Sequence, residues 1–226
     1  MGNMYFYDRF ANQFDEKMNM YDTNKRIALI FDQVLGSLDL HGKKLLDAGS
    51  GTGWFSKVAC GRGADVYSLD IGLNLLKIVG QKCDSQRIAG SVLQIPFAQN
   101  TFDCIVNTEV IEHTLAPMDV IPELYRVLRP GGVLVLTVPN RVWYFSVVIA
   151  NALKLRPYEG LENWVHWRPL RKRFEECGFR IEEIRGFHIV PFVSPRLYRF
   201  IDLCDRFGTW LGPIMLNIAI KAQKMI

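Results

Sequence analysis

Asp47, Gly49, Gly51 and Gly53 stand at alternate positions at the end of an apolar run, LLDAGSGTG, residues 45–53. Leu45 and Leu46 suit a buried parallel strand, and Trp54 to Ala59 suit the start of a helix. The glycines therefore fall where the chain must bend and where a main chain without side chains can approach a ligand closely. Seventeen residues beyond Gly53, a second apolar run, Val66 to Leu69, ends in Asp70. An acid at the end of the second strand of such a unit accepts hydrogen bonds from both hydroxyls of a ribose. Loop and acid together imply a nucleoside-containing ligand. His113 and His166 are the candidates for moving a proton, because imidazole titrates near neutrality.

The spacing distinguishes between nucleosides. In the dinucleotide fingerprint G-x-G-x-x-G the third glycine lets helix and strand pack closely, and here that position is Trp54. The D-x-G-x-G-x-G pattern instead resembles the first motif of class I S-adenosylmethionine-dependent methyltransferases. GSVLQIPFAQNTFDCIVNTEVIEH (90–113) and ELYRVLRPGGVLVLTVPN (123–140) resemble the same family. Glu109-Val-Ile-Glu-His113 and HWRPLRKRFEECGFRIEEI (166–184) are similar to the branch holding the ubiquinone-biosynthesis O-methyltransferases. The likeness covers about residues 45–187 well and the two ends poorly.

That resemblance implies S-adenosylmethionine as cofactor, with Asp47 opening the motif and Gly49, Gly51 and Gly53 lining its methionine part. It implies that Asp70 holds the ribose, that Ser91 and Val92 flank the adenine, and that Thr108 faces the sulfonium. The family commonly has an acid where this chain has Ser91, so the adenine amine meets a hydroxyl without charge. Arg26 is expected to pair with the cofactor carboxylate, a salt bridge to a protein acid being the alternative. The expected reaction is direct methyl transfer to a small-molecule acceptor, at oxygen in first place, with His113 and His166 as candidate bases. In the ubiquinone-type enzymes E-x-x-E-H is proposed to bind magnesium; no metal is assigned here to Glu109, Glu112 and His113. A cofactor-binding scaffold subunit and a nicotinamide-dependent oxidoreductase are the competing readings, and Trp54 counts against the second.

These groups need a frame that gathers them. Apolar runs near 44–49, 65–70, 87–92, 103–108 and 132–138 alternate with helical patterns near 54–61, 72–83 and 117–128, which demands parallel strands and right-handed crossovers. A helix at 168–177 and strands near 179–186 and 214–224 complete the pattern. The expectation is an α/β fold: a seven-stranded, mostly parallel Rossmann-like sheet with helices on both faces, its last strand antiparallel by family likeness. Residues 1–226 are read as one domain, with two helices in a cap (1–40), a cofactor-binding core (41–140) and an acceptor-side insertion with the last strands (141–226). Tyr7, Phe10 and Phe14 are expected to form a lid, and Trp143, Tyr144, Trp164 and Trp167 an apolar acceptor wall.

Composition narrows the class. The 226 residues are 49% hydrophobic, enough for one substantial core. Five scattered cysteines without a C-x-x-C pair suggest neither a disulfide framework nor a zinc knuckle. With no leader pattern and no apolar stretch near the roughly 20 residues that span a bilayer, a cytoplasmic protein is expected. Residues 141–226 carry 14 basic and 8 acidic side chains against 13 and 15 before them. That imbalance suits an anionic acceptor or peripheral contact with a membrane, and the aromatic wall suits a lipophilic acceptor. PRLYRFIDLCDRFGTWLG (195–212) alternates basic and aromatic residues at helical spacing, as a partner-facing or membrane-facing surface would. Nothing interleaves aromatics and charges as a nucleic-acid groove does, and the sequence leaves acceptor identity and oligomeric state open.

Overall fold

The computed structural model describes residues 6–9, 11–36, 38–153, 160–191 and 194–225. Strands β1 (Lys44–Ala48), β2 (Asp65–Asp70), β3 (Gln86–Ala89), β4 (Phe102–Thr108), β5 (Leu128–Pro139), β6 (Phe179–Phe187) and β7 (Asn217–Lys224) form one sheet in the order β3-β2-β1-β4-β5-β7-β6. The pairs β2–β3, β1–β2, β1–β4 and β4–β5 are parallel, while β7 runs antiparallel to both β5 and β6. The strand order reverses between β1 and β4, which opens a crevice beyond their carboxyl ends.

The unbroken apolar runs have a simple cause. Successive side chains of a strand point to opposite faces, and here both faces are covered. Leu46, Ile105, Leu134 and Leu136 pack with Ile121 and Leu124 of helix α6 (Val120–Val127) and Phe174 of α8 (Trp167–Glu176). Their neighbours Leu45, Val106, Val133 and Val135 pack on the other face with Phe55 and Ala59 of α4 (Trp54–Gly61). Helix α5 (Leu73–Lys82) follows β2, and α7 (Tyr144–Ala152), α9 (Tyr198–Asp205) and α10 (Gly208–Leu211) lie in the second half.

Differences from the sequence expectations are local. Among the described residues the amino-terminal region holds three helices, α1 (Phe6–Arg9), α2 (Ala11–Lys17) and α3 (Met20–Ile27), where two were expected, and α3 continues as a π-helical segment, Ala28–Val34. The Leu35 amide donates to the Ile30 carbonyl at 2.8 Å, and Leu29, Ile30, Phe31 and Val34 are all buried. The wider π turn brings to one face apolar residues that an α-helix would spread around its surface. β3 stops at Ala89, so Ser91 lies in a turn, bridged to Gln94. Pro130-Gly131-Gly132 falls within β5 as an irregularity opposite Phe102 and Cys104, not before the strand. All five cysteines are free thiols, and burial followed by the neighbouring Cys83 pushes the Cys60 thiol up to about 12.

Candidate functional site

The glycine loop hangs from the end of β2. The amides of Gly49 and Ser50 donate to the Leu69 carbonyl at 2.8 and 2.9 Å, and the next residue, Asp70, accepts from the amides of Gly51 and Gly72 at 2.8 Å each. Asp70 therefore fixes both the loop and the start of α5 before any ligand arrives. Burial raises its carboxyl above the ordinary range and those amide donors pull it back.

Two glycines do different work. At Gly49 (φ +86°) a Cβ would lie 2.4 Å from the Val110 side chain, so the position is closed by packing. At Gly51 (φ +52°) a Cβ would meet nothing within 4 Å. The bare main chain of Gly51 thus borders open space at the topological switch point, a cradle that a side chain would fill.

Asp47 lies beneath this loop. It is buried, it accepts from Ser56 Oγ at 2.6 Å, and the hydroxyls run on from Ser56 to Ser68 at 2.7 Å and to Ser85 at 2.8 Å. Its other oxygen has no hydrogen-bond partner among the described residues, and neither do Ser50 Oγ in the loop and Asn107 Oδ1. Asn107 Nδ2 donates to the Ala48 carbonyl at 2.7 Å. Unsatisfied buried polar atoms around a glycine loop fit a polar ligand placed there. Burial pushes Asp47 up to about 7 from 3.8. Between those two values the folded chain holds a proton that the unfolded chain has released, so stability falls as pH rises from about 4 to about 7. At about 1.4 kcal/mol per unit the total is about 4 kcal/mol. Asp47→Asn, which keeps an acceptor for Ser56, is expected to flatten the melting temperature over that window relative to the wild type, with the gap widest above pH 7. Parallel Tm–pH curves would remove Asp47 as the source.

The amino-terminal helices close over the loop. Asp15 accepts from Thr52 Oγ1 at 2.6 Å and from Trp54 Nε1 at 3.0 Å, and pairs with Lys82 at 2.5 Å. Against the effect of burial, these donors hold its carboxyl below the ordinary value. Lys82 lies 4.4 Å from the Trp54 ring centroid. Asp8 accepts from the amide of Asn74 at 2.7 Å and so caps α5. The Tyr7 ring stands edge-on to His113 at 5.3 Å. Phe10 and the Phe14 side chain, also expected in the lid, lie outside the described residues. Asp8 and Asp15 escaped the sequence reading because nothing local marks them; their partners lie 66 and 37 residues away.

The remaining expected site residues have these settings. Ser91 Oγ accepts from the Leu93 amide at 3.2 Å, and Val92 is buried. Thr108 is buried at the end of β4. Arg26 pairs with Asp22 and lies 3.9 Å from Glu109 Oε1, while its Nε has no hydrogen-bond partner among the described residues. Glu109 (φ +53°) accepts from Thr137 Oγ1 at 2.9 Å and from Asn217 Nδ2 at 3.0 Å. His188 is buried at 3.6 Å from Asp22, and burial drives it down to about 3, so it is neutral. An i, i+4 spacing was the only sequence signal for the Asp22–Arg26 pair.

His113 Nδ1 lies 2.7 Å from the Leu161 carbonyl, and its Nε2 lies 3.8 Å from Glu112. Glu112 is buried, and desolvation followed by the Glu109 charge raises its carboxyl well above the usual range. His166 is exposed and precedes α8; its neighbour Val165 bridges Asn140 at the carboxyl end of β5. The structure thus brings the loop, Asp70, Thr108 and His113 to the carboxyl edge of the sheet, with His166 on the rim. Among the described residues, no group of three or more His, Cys, Asp or Glu side chains is arranged to hold a metal ion.

Comparison with known proteins agrees with this geometry. Residues 46–136, which hold the loop and Asp70, match the family described as a methyltransferase domain. The chain is 28% identical over 176 residues to a ubiquinone biosynthesis O-methyltransferase of Psychrobacter arcticus, covering 72% of this chain and 68% of that one. It is 32% identical over 134 residues to a demethylmenaquinone methyltransferase of Renibacterium salmoninarum, covering 58% and 55%. These matches support a class I S-adenosylmethionine-dependent methyltransferase. A Haloferax volcanii chain solved in complex with the Trm112 methyltransferase activator shares the fold, with a TM-score of 0.70, 15% identity and 98% of each chain covered. In this methyltransferase S-adenosylmethionine is the cofactor, and the open cradle at Gly51 and the unsatisfied polar atoms beneath it fit that group.

Proposed function

We propose that the chain methylates an oxygen of a small, lipophilic acceptor. The observation that carries the reading is the cradle itself: main chain at Gly51 facing open space, braced by Asp70, at the switch point of a sheet whose core matches methyltransferases. When bound, S-adenosylmethionine supplies a methyl on a positively charged sulfur, the electrophile for direct displacement. The chain's own residues bind, orient and deprotonate. Asp70 receives the ribose hydroxyls. Arg26 offers its unused Nε to the amino-acid carboxylate, and Ser91 and Val92 border the adenine. Thr108 shapes the space where the methyl is transferred.

Proton removal is assigned to His113. The Leu161 carbonyl can only accept, so Nδ1 carries the hydrogen and a proton taken from the acceptor goes to Nε2. His166, exposed at the rim, is the second candidate base. Aromatic pairs near the carboxyl end of β5 support a lipophilic acceptor: Tyr144 with Trp164 at 5.8 Å and Trp143 with Phe145 at 5.5 Å.

Incubating the protein with methyl-labelled cofactor and a cell extract tests the reading. Label in an organic-extractable small molecule is expected, and cofactor binding without any labelled product would favour a scaffold instead. With the product in hand, His113→Gln is expected to lower kcat by about 100-fold with little change in cofactor affinity. An unchanged kcat would move the base to His166 or to the acceptor itself.

A further inference from the structure

Among the described residues fifteen large hydrophobic side chains are exposed, and eleven of them fall between Val142 and Ile214. They are not scattered. Phe200, Leu203, Phe207 and Trp210 recur at intervals of three and four along α9 and α10, and Trp210 is 83% exposed. The inward face of the same stretch is already in use. Ile201, Asp205 and Gly208 are buried, and a Cβ on Gly208 would lie 2.2 Å from the Gly186 carbonyl. The apolar stripe therefore points away from the protein, the reverse of an ordinary surface helix.

Helix α7 repeats the inversion: Val147 is its single buried residue, whereas Phe145 and Ile149 are more than half exposed. The two faces are tied together, because Trp143 Nε1 donates to the Ile214 carbonyl at 2.8 Å. Both are pinned at the end of β5, where Asn140 Nδ2 donates to the Pro213 and Met215 carbonyls at 3.0 Å each. That is the edge of the sheet on which the glycine loop opens.

We propose that the outward faces of α7 and of α9–α10 form a surface that docks on an anionic lipid bilayer. Charge decides the occupant. Arg141, Arg199 and Arg206 are exposed beside the apolar side chains. The exposed acid of α9, Asp202, is turned to the protein, accepting from Lys25 at 2.7 Å and from Tyr21 at 2.8 Å. Apolar and aromatic side chains bordered by arginines match the boundary between acyl chains and anionic headgroups. No described helix is long and apolar enough to cross a membrane, so the surface lies on the bilayer. Docking there turns the carboxyl edge of the sheet toward the lipid, where a lipophilic acceptor would enter. The surface stands on its own observations, whichever acceptor is methylated.

Flotation with phosphatidylcholine vesicles, with and without phosphatidylglycerol, tests this directly. The protein is expected to float with the anionic vesicles at least about tenfold more strongly than with the neutral ones, to be released by salt, and to blue-shift its tryptophan emission on binding. Phe207→Ser combined with Trp210→Ser should abolish flotation, and Arg199→Glu combined with Arg206→Glu should erase the preference for anionic lipid. Both variants should keep cofactor affinity by calorimetry, which shows that they fold. Absence of flotation, or equal flotation with both vesicle types, overturns the proposal. So does a dimer in sedimentation that the Phe207→Ser, Trp210→Ser variant dissociates, since the face would then join two copies of the chain.

Discussion

Asp70→Ala is expected to weaken S-adenosylmethionine binding by about 100-fold or more, measured by calorimetry. Two effects combine. The carboxylate is the expected ribose ligand, and it also accepts the amides of Gly51 and Gly72 at 2.8 Å, so its loss frees the loop as well as the ligand contact. Hydrogen bonds to a charged group contribute about 1.5–3 kcal/mol each, and two of them reach 100-fold. Asp70→Asn separates the effects: one acceptor oxygen remains for an amide while the charge is lost, so an intermediate affinity is expected. Wild-type affinity in both variants would place the ribose elsewhere.

Gly51→Val should abolish cofactor binding while leaving a folded protein, whereas Gly49→Ala should damage the fold. The contrast follows from the space at each position. A Cβ at Gly51 enters the open cradle and meets no protein atom within 4 Å, with the positive φ as the remaining strain, but a Cβ at Gly49 would collide with Val110 at 2.4 Å. Thermal melts and calorimetry on the two variants are expected to give opposite patterns: near-normal melting without binding for Gly51→Val, and a lowered Tm for Gly49→Ala. Binding by Gly51→Val at wild-type strength would show that the cofactor lies away from the loop.

Much of this frame was legible in the sequence because its determinants are local. Leu45 with Leu46, and Leu134 with Val135, read as continuous apolar runs since the two faces of the sheet are buried against different helices. The spacing of Gly49, Gly51 and Gly53 announced the loop and Asp70 was read as a ribose ligand; that Asp70 also braces the loop appears only in the fold. The family likeness carried the antiparallel last strand. Elsewhere a tertiary demand overrides the local pattern. The π turn at Ala28–Val34 answers to the sheet surface that it covers, and β3 ends at Ala89 because Ser91 is taken into a turn.

By itself, then, the sequence determined the order of strands and helices, the glycine loop and its acid, set by residue type and short-range spacing, while the cofactor followed from the family likeness. Only the tertiary structure decided that Asp47 is buried beneath the loop, that Asp8 and Asp15 clamp the amino-terminal helices over it, and that Arg26 answers to Asp22 and Glu109. It also decided which face of α9 and α10 turns outward. A charge or an apolar stripe shows only that a partner is needed. Which partner it meets depends on contacts between residues far apart in the chain, and those exist only once the chain has closed around its core.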